Sequence, residues 1–355
     1  MAKIIVIADK HTRDEPPFIK ASVAFYRWML AQDFNQPENT FLDLGDHFHR
    51  ARPSPLEYSI FNSFLDGLKP EHKLFLRGNH DRLSPSESTS GEETNSLDPI
   101  SNREDCEVFN VARPWAIGQL KCLMLPFQAY FPDESSTMTK SEYYERVFKS
   151  ATDGSLFEAL SSLYEGLKDL RPDAPKFAFY HFPDETQPFF SKGRGVDLSP
   201  LELVGWRLVG GDIHIHSDRY VGPPHPTRSD EEGLQGRVTL IDDQTGEIEY
   251  RPCPQFLNFE RINFGDRPLR DESEGPLLLV IKNAPSLRAA HEMYGVERVW
   301  SVDLESFSEE SETPSSSALD EHRSFDEHRQ SFYAERGVSA EVQAVVEEAL
   351  SSSHR

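Results

Sequence analysis

Five short polar clusters in this sequence carry side chains that could bind metal ions. They are Asp9-Lys10-His11, Gly45-Asp46-His47-Phe48-His49, Gly78-Asn79-His80-Asp81, His181, and Gly211-Asp212-Ile213-His214. Carboxylate, amide and imidazole groups supply the oxygen and nitrogen donors that suit Mn, Fe or Zn. Two divalent ions that share a carboxylate can clamp a phosphoryl group and lower the pKa of water. These residue types therefore indicate two-metal hydrolysis of a phosphate ester.

Each cluster taken alone has a simpler explanation. Asp-x-His after a strand is often a helix cap or turn, Gly-Asp is a common turn dipeptide, and a lone histidine is more often a buried structural residue. The set favours a metal centre because every cluster follows an apolar, strand-like segment. In open α/β sheets, ligands bind beyond the carboxyl ends of the strands, so the five clusters can converge on one site.

The elements that must position these clusters alternate along the first half of the chain. This alternation of strand and helix patterns predicts an α/β fold with crossover connections. Strands are predicted at 3–8, 40–44, 73–76, 106–117, 119–125, 177–180, 207–209 and 238–241, and helices at 18–32, 56–68 and 144–170. The segment Asp242–Gly246 is a predicted hairpin turn.

Composition limits the cellular setting. No apolar run is long enough to span a bilayer, and the apolar start of the chain is too short for a signal peptide. The 3 cysteines are widely separated, which fits neither a disulfide framework nor a thiolate metal site. We therefore expect a cytoplasmic protein of a bacterial or phage-infected cell, without membrane contact.

The charge of the chain bears on its substrate. A formal net charge of -23 argues against a broad electrostatic grip on nucleic acid. Bound divalent metals would supply positive charge locally. Much of the acidity lies in the segments 84–98 and 305–312, which have the composition of solvated loops or linkers.

In their order along the chain, the clusters resemble the motifs of the calcineurin-like metallophosphoesterases. Within them, Leu44-Gly45-Asp46-His47-Phe48-His49 resembles the DNA-repair nuclease subunits of the SbcD type and their phage recombination relatives, because His49 stands where many phosphatases carry Asp. The segments Leu123–Phe127 and Tyr220–Thr227 also resemble stretches that those nuclease subunits share. The resemblance covers about residues 1 to 260. It implies a two-sheet sandwich flanked by helices, with a small α+β capping domain and a C-terminal helix pair.

The resemblance also implies a role for each site residue. One metal would be held by Asp9, His11, Asp46 and His214, and the other by Asp46, Asn79, His181 and Asp212. His80 would lie beside the scissile phosphate and stabilise the transition state or protonate the leaving oxygen. His49 would orient His80 or the nucleic acid, and Asp81 would support the loop. The expected cofactors are two divalent ions, with Mn first and Mg, Fe or Zn as alternatives.

One position departs from the family pattern. The family usually ends this motif Gly-His-x-His, whereas this chain has Gly211-Asp212-Ile213-His214. Asp212 would be a harder, anionic donor that favours Mn or Mg. A register two residues later would instead make His214 and His216 the pair. We favour the first register because Gly210 and Gly211 directly follow the predicted strand.

The rest of the chain is predicted to form further units. The proposed boundaries are 1–254 for the phosphoesterase domain, 255–306 for the capping domain, 307–318 for an acidic Ser-rich linker and 319–355 for a helical motif. Residues 256–264 and 276–281 are predicted strands, and 286–294 a predicted helix.

The C-terminal motif carries apolar residues at helical spacing. These are Phe325, Phe332 and Tyr333, then Val342, Val345, Val346, Ala349 and Leu350 after a possible N-cap at Ser339. This stripe either packs on its own domain or, as the resemblance implies, binds the coiled coil of an SbcC-like ATPase. The resemblance also implies a homodimer.

Three hypotheses for function follow from the sequence. The first is a metal-dependent DNA exonuclease and endonuclease, the nuclease half of an SbcC-like ATPase complex in repair, recombination or replication. The second is a free-standing phosphatase or small-molecule phosphodiesterase on the same scaffold. The third is a catalytically dead binding module, against which the retained Asp9, Asp46, Asn79 and His80 speak.

Overall fold

Two stacked β-sheets form the body of the protein. The structure is a computed structural model that describes residues 2–83, 94–127, 147–149, 170–187, 195–269 and 276–304. The larger sheet contains β1 (Lys3–Ile7), β2 (Thr40–Asp43), β3 (His72–Leu76), β6 (Cys106–Phe109), β11 (Arg237–Asp242) and β12 (Ile248–Pro252). Its strand order is β12-β11-β1-β2-β3-β6. Strands β1, β2, β3 and β6 are parallel, and β11 and β12 run antiparallel at one edge.

The smaller sheet has four strands in the order β10-β9-β8-β7. They are β7 (Arg113–Ile117), β8 (Leu120–Leu125), β9 (Lys176–His181) and β10 (Trp206–Gly211). Strands β8, β9 and β10 are parallel. The sequence predicts one strand at 106–117 and another at 119–125. In the structure β6 completes the larger sheet, while β7 and β8 pair as a hairpin in the smaller one.

Alternation along β1 explains why the sheets stack. Ile4 and Val6 lie in the core between the two sheets, with Phe177 and Phe179 of β9. Ile5 and Ile7 point to the opposite face and pack in a second core beneath the helices. Since successive residues of a strand face opposite sides, a fully apolar strand is buried on both faces. These findings confirm the predicted α/β sandwich.

Two helices cover the outer face of the larger sheet. They are α1 (Pro16–Leu30) and α2 (Pro55–Gly67), and both begin with proline in the first turn, where the missing N–H costs no hydrogen bond. The side chain of Ser54 caps α2 by accepting from the backbone N–H of Glu57. The aromatic rings of Phe25 and Phe64 fill the space between these helices and the sheet.

A third sheet, with three parallel strands, follows the sandwich in the chain. It consists of β13 (Asn258–Asn263), β14 (Leu277–Ala284) and β15 (Val299–Leu304). Helix α4 (Leu287–Tyr294) follows the N-cap residue Ser286, whose hydroxyl accepts from the N–H of Ala289 at 3.1 Å. The shorter elements are helix α3 (Ser199–Leu203), a 3-10 turn at Ser229–Glu231, and the paired strands β4 (Arg82–Leu83) and β5 (Thr94–Asn95).

Some predictions fall outside the described residues. These are most of the predicted helix at 144–170, the linker at 307–318 and the helical motif at 319–355. In the part of the chain that the structure describes, no helix combines the length and apolar character needed to cross a membrane.

Candidate metal centre

The loops that follow β1 and β2 are joined to each other by backbone hydrogen bonds. The N–H of Asp9 donates to the carbonyl of Gly45 at 3.1 Å, and the N–H of His11 donates to the carbonyl of Asp46 at 3.0 Å. These bonds extend the parallel pairing beyond the strands. They bring two of the five predicted clusters side by side at the carboxyl edge of the sheet, where ligands of α/β proteins bind.

Strained backbone recurs in the loops that follow β1, β2 and β10. Asp9, His11, Asp46 and Asp212 have φ angles of 51°, 44°, 53° and 79°. A positive φ is uncommon and costly for a residue with a Cβ atom. The surrounding fold therefore holds these side chains in orientations that a relaxed loop would not select, as functional sites often require.

The first donor group contains Asp9, His11 and His214, whose ligand atoms lie within 4.8 Å of one another. Nε2 of His11 is 3.0 Å from Nε2 of His214 and 3.4 Å from Oδ2 of Asp46. All four residues were predicted from the sequence as ligands of one metal. The structure brings them together from three different strand ends.

The second donor group lies on the other side of Asp46. Nε2 of His181 is 3.3 Å from Oδ1 of Asp46, and Asp9 also belongs to this group. One terminal atom of the Asn79 amide is 3.1 Å from His181 Nε2, 3.2 Å from Asp46 Oδ2 and 3.1 Å from Asp212 Oδ1. With the amide nitrogen at that position, Asn79 donates hydrogen bonds to the two carboxylates; with its oxygen there, it can serve as a metal ligand beside them. The group therefore supplies carboxylate, amide and imidazole donors for a cation that binds among them.

Unpaired buried atoms support the same conclusion. Oδ2 of Asp9 and Nδ1 of His11 are buried and have no hydrogen-bond partner. Burial raises the pKa of Asp9 to about 6, although the nearby His214 and His181 oppose that rise. Buried polar atoms without partners are costly. The mixture of carboxylate, amide and imidazole donors fits a pair of divalent ions of the Mn, Fe or Zn type.

The pKa of His181 is strongly shifted by the other members of the second group. Burial alone would lower its pKa, but the carboxylates of Asp46, Asp9 and Asp212 raise it to about 10. The pKa of Asp46 is lowered, because the effect of His181 outweighs the burial that would raise it. Nδ1 of His181 lies 2.6 Å from the carbonyl of Leu44, so Nε2 is the nitrogen that faces the carboxylates. A proton and a metal ion compete for that nitrogen.

The structure separates the two candidate residues for the second metal. Asp212 contacts Asn79 and lies 3.9 Å from His181 Nε2. Its backbone N–H also donates to Oδ1 of Asp9 at 2.8 Å. In contrast, Nδ1 of His216 donates to the carbonyl of Val221. The geometry therefore favours the register that contains Asp212.

Two residues that orient His214 were not identified from the sequence. Nδ1 of His214 donates to the carboxylate of Glu231, and Oγ1 of Thr227 lies 3.0 Å from the same nitrogen. Although burial opposes it, the hydrogen bond to Glu231 raises the pKa of His214. A carboxylate behind a ligating histidine fixes its tautomer and increases its basicity, which leaves Nε2 directed at the metal. The 17-residue separation of His214 and Glu231 gives no local motif that would reveal the pair.

Asp81 supports the loops that carry Asp46 and Asn79. Its carboxylate accepts hydrogen bonds from the backbone N–H groups of Asp46 at 2.9 Å, His47 at 3.2 Å and Gly78 at 2.9 Å. Charge-assisted bonds of this kind are stronger than neutral ones. Asp81 is fully buried, so it acts on the position of the loops rather than on a substrate.

His80 and His49 lie on the open side of the centre. Their rings stack with centroids 5.6 Å apart, and the ring of His80 is 4.7 Å from that of His11. Burial and the charge of Arg13 lower the pKa of His49 to about 4, so its ring is neutral at pH 7. The guanidinium of Arg13 is itself buried against Phe18, with its carbon 3.5 Å from the ring centroid.

A buried charged triad behind the loops was also not identified from the sequence. The ammonium of Lys10 donates to Asp43 and lies 3.1 Å from Nδ1 of His47, which is 2.9 Å from the same carboxylate. All three side chains are at most 1% exposed. Lys10 is the residue between Asp9 and His11, so the triad ties the first loop to the second.

Comparison with known proteins assigns the family. The family model of the calcineurin-like phosphoesterases matches residues 2–217. The chain therefore belongs to the calcineurin-like phosphoesterase family. Because the proteins of this family are metal-dependent phosphoesterases, the same activity class applies to this chain. No curated protein matches it significantly. Among solved structures, it is similar to a protein of unknown function from Aquifex aeolicus, with 13% identity, coverage of 54% of this chain and 82% of that chain, and a TM-score of 0.28.

Proposed function

We propose that this chain hydrolyses phosphodiester bonds in DNA at a two-metal centre built around Asp46. The observation that carries the proposal is the position of the Asp46 carboxylate between two donor groups. Its Oδ2 faces His11 at 3.4 Å, and its Oδ1 faces His181 at 3.3 Å. A carboxylate that presents one oxygen to each group is suited to bridge two ions.

The residues on either side of this bridge would complete the two ion sites. Asp9, His11 and His214 would hold one ion with Asp46, and Asn79, His181 and Asp212 would hold the other. Bound divalent ions supply Lewis-acid charge to the phosphoryl group and lower the pKa of water. The chain itself contributes the fixed position of the ligands, through Asp81, Glu231 and the strained loops.

His80 is the residue that we propose acts on the leaving oxygen. Its Nδ1–H donates to the carbonyl of His49 at 2.8 Å, which leaves Nε2 as the nitrogen available to the substrate. Its backbone N–H donates to Oδ1 of Asp46 at 2.9 Å, so its position is coupled to that of the bridging carboxylate. A histidine held in this way can donate a proton in the transition state.

Support for a nucleic acid substrate comes from the side of the centre that carries His49. His49 stands where many phosphatases have Asp, and its neutral ring adds no negative charge there. The cation Arg50 lies on the same side and is 57% exposed, and it faces the carboxylates of Asp14 at 3.6 Å and Glu15 at 3.9 Å. With a net charge of -23, the chain would bind DNA through the bound metal ions and this local contact rather than a broad basic surface.

We further propose that the segment 319–355 binds the coiled coil of an SbcC-like ATPase and that the chain forms a homodimer. The apolar spacing of that segment and the motif resemblance support ATPase binding, and the resemblance supports the homodimer. A chain truncated after Ser315 should retain basal hydrolysis but lose ATPase binding in a pull-down with a purified ATPase of this type. If the truncated chain unfolds instead, the segment belongs to the core of this protein.

The substrate is tested with purified protein, Mn²⁺ and four substrates. These are linear duplex DNA, single-stranded DNA, a chromogenic phosphodiester and a chromogenic phosphomonoester. The proposal expects cleavage of DNA and of the phosphodiester, both lost in His80→Gln purified in parallel. Hydrolysis of the chromogenic substrates without cleavage of either DNA would support the phosphatase or small-molecule phosphodiesterase. A metal-loaded protein inactive on all four would support a binding module.

A further inference from the structure

We propose that His11, His49 and His80 form a third metal site, specific for Zn²⁺-type transition ions, on the substrate side of the two-metal centre. One nitrogen from each ring lies within 4.8 Å of the other two. The rings surround a common point, with centroid separations of 5.7, 4.7 and 5.6 Å. This group differs from the other two donor groups found in the described residues because it contains no carboxylate.

The nitrogens of the three rings are available for coordination. Nδ1 of His49 and Nδ1 of His11 are buried without a hydrogen-bond partner. Nδ1 of His80 is committed to the carbonyl of His49, which leaves Nε2 of His80 as its coordinating atom. The interactions of the fold therefore leave one free nitrogen on each ring.

The donor type selects the ion. Three imidazoles with an open fourth position form a typical Zn²⁺ site with Zn–N distances of about 2.0–2.1 Å, whereas Mn²⁺ and Mg²⁺ prefer oxygen ligands. Tetrahedral angles at that distance place the nitrogens about 3.4 Å apart.

Occupancy of this site would oppose catalysis. His11 also belongs to the group with Asp9 and His214, which its Nε2 faces, so an ion on its Nδ1 would share the ring with that group. The same ion would engage the nitrogen that His80 offers to the substrate. Turnover measured across a series of free Zn²⁺ concentrations should therefore fall as the additional ion binds.

The test counts bound ions without substrate, so it does not depend on the proposed DNA hydrolysis. Metal-free wild type, His49→Ala, His80→Ala and His72→Ala are dialysed against buffered Zn²⁺, and bound zinc is measured by elemental analysis. His72 is an exposed histidine at the start of β3, outside all the donor groups, and serves as the matched control. His49→Ala and His80→Ala should each bind one Zn²⁺ fewer than wild type and His72→Ala, whereas all four should bind equal numbers of Mn²⁺.

The test depends on the difference in bound zinc between the variants and not on the total number of bound ions. Equal zinc counts in wild type and His49→Ala would overturn the proposal. X-ray absorption of wild-type protein provides a measurement that needs no variant. The last equivalent of Zn²⁺ to bind should raise the average number of imidazole nitrogens per ion. An unchanged or lower number would also overturn the site.

Discussion

Nδ1 of His80 lies 2.8 Å from the backbone carbonyl oxygen of His49. The bond fixes the tautomer of His80, because Nδ1 must carry the hydrogen that the carbonyl accepts. His49 therefore orients His80 through its backbone, and its own ring remains free for other contacts.

The first prediction follows from that bond. In His80→Gln, the backbone N–H that donates to Asp46 is retained, so the metal ligands should stay in place. The loss of a positioned acid should lower kcat by about 10²–10⁴-fold. Steady-state kinetics with the chromogenic phosphodiester and elemental analysis of bound metal check both parts. Undiminished turnover would refute the assigned role of His80.

The second prediction concerns the carboxylate behind His214. Glu231→Gln preserves the shape of the side chain but removes the charge that makes His214 a better ligand. Loss of such a partner typically weakens metal binding by about 10–100-fold. The neighbouring Asp230→Asn is the matched control, because Asp230 is 69% exposed and contacts only the exposed Arg228 among the described ion pairs. Competition with a metal-binding dye would give both affinities, and equal values in the two variants would contradict the prediction.

The sequence predicts those site residues whose positions depend on a single preceding strand. Asp9, Asp46 and Asn79 directly follow β1, β2 and β3, so strand pattern and residue type were enough to place them at one edge. Lys10 resembled a spacer between two ligands, since nothing in its neighbourhood reveals Asp43 across 33 residues. Long-range partners of this kind depend on the assembled fold.

The pairing of the strands also depends on the assembled fold and was not predictable from the sequence. The apolar patterns of β6, β7 and β8 were recognisable, but alternation records which face is buried and not which strand is the neighbour. The choice between Asp212 and His216 also needed the assembled sheets, because it depends on which side chain reaches Asn79.

The third prediction tests the buried triad. Lys10→Met leaves Asp43 in the core without its ammonium partner, and His47 compensates only in part. Breaking a buried ion pair by removing one partner typically costs about 3–5 kcal/mol, and because His47 remains we expect a loss of unfolding free energy of about 3 kcal/mol. Urea denaturation in EDTA separates this effect from metal binding. Adding Asp43→Asn should recover part of the loss, whereas additive losses would show that the two residues do not interact.

The fourth prediction is a pH dependence of the metal-free protein. The carboxylates around His181 raise its pKa from 6.5 to about 10, against the effect of burial. A raised pKa means that the folded state holds this proton more tightly than the unfolded state does. The stabilisation is therefore fully present below pH 6.5 and is lost as the pH rises toward 10. Melting temperatures should fall across that range in EDTA.

Saturating Mn²⁺ should flatten that fall, because a metal ion takes the place of the proton on His181. A His181→Ala variant in EDTA should also show a shallower fall, since the group that titrates is gone. If wild-type protein shows the same slope with and without Mn²⁺, His181 does not exchange a proton for a metal.

The fifth prediction tests how closely the loops approach the centre. A Cβ atom at Gly78 would lie 2.1 Å from Oδ1 of Asp46, 2.4 Å from the backbone nitrogen of Asp46 and 2.9 Å from Nε2 of His181. Gly78→Ala must therefore displace the bridging carboxylate or the whole loop, and it should abolish metal binding and turnover. Gly67→Ala is the control, because its Cβ would meet only the flexible end of the Leu30 side chain. Isothermal titration with Mn²⁺ should show near wild-type binding for Gly67→Ala and none for Gly78→Ala. Retained binding in Gly78→Ala would mean that the Asp46 carboxylate can leave its position without loss of the ions, and so does not bridge them.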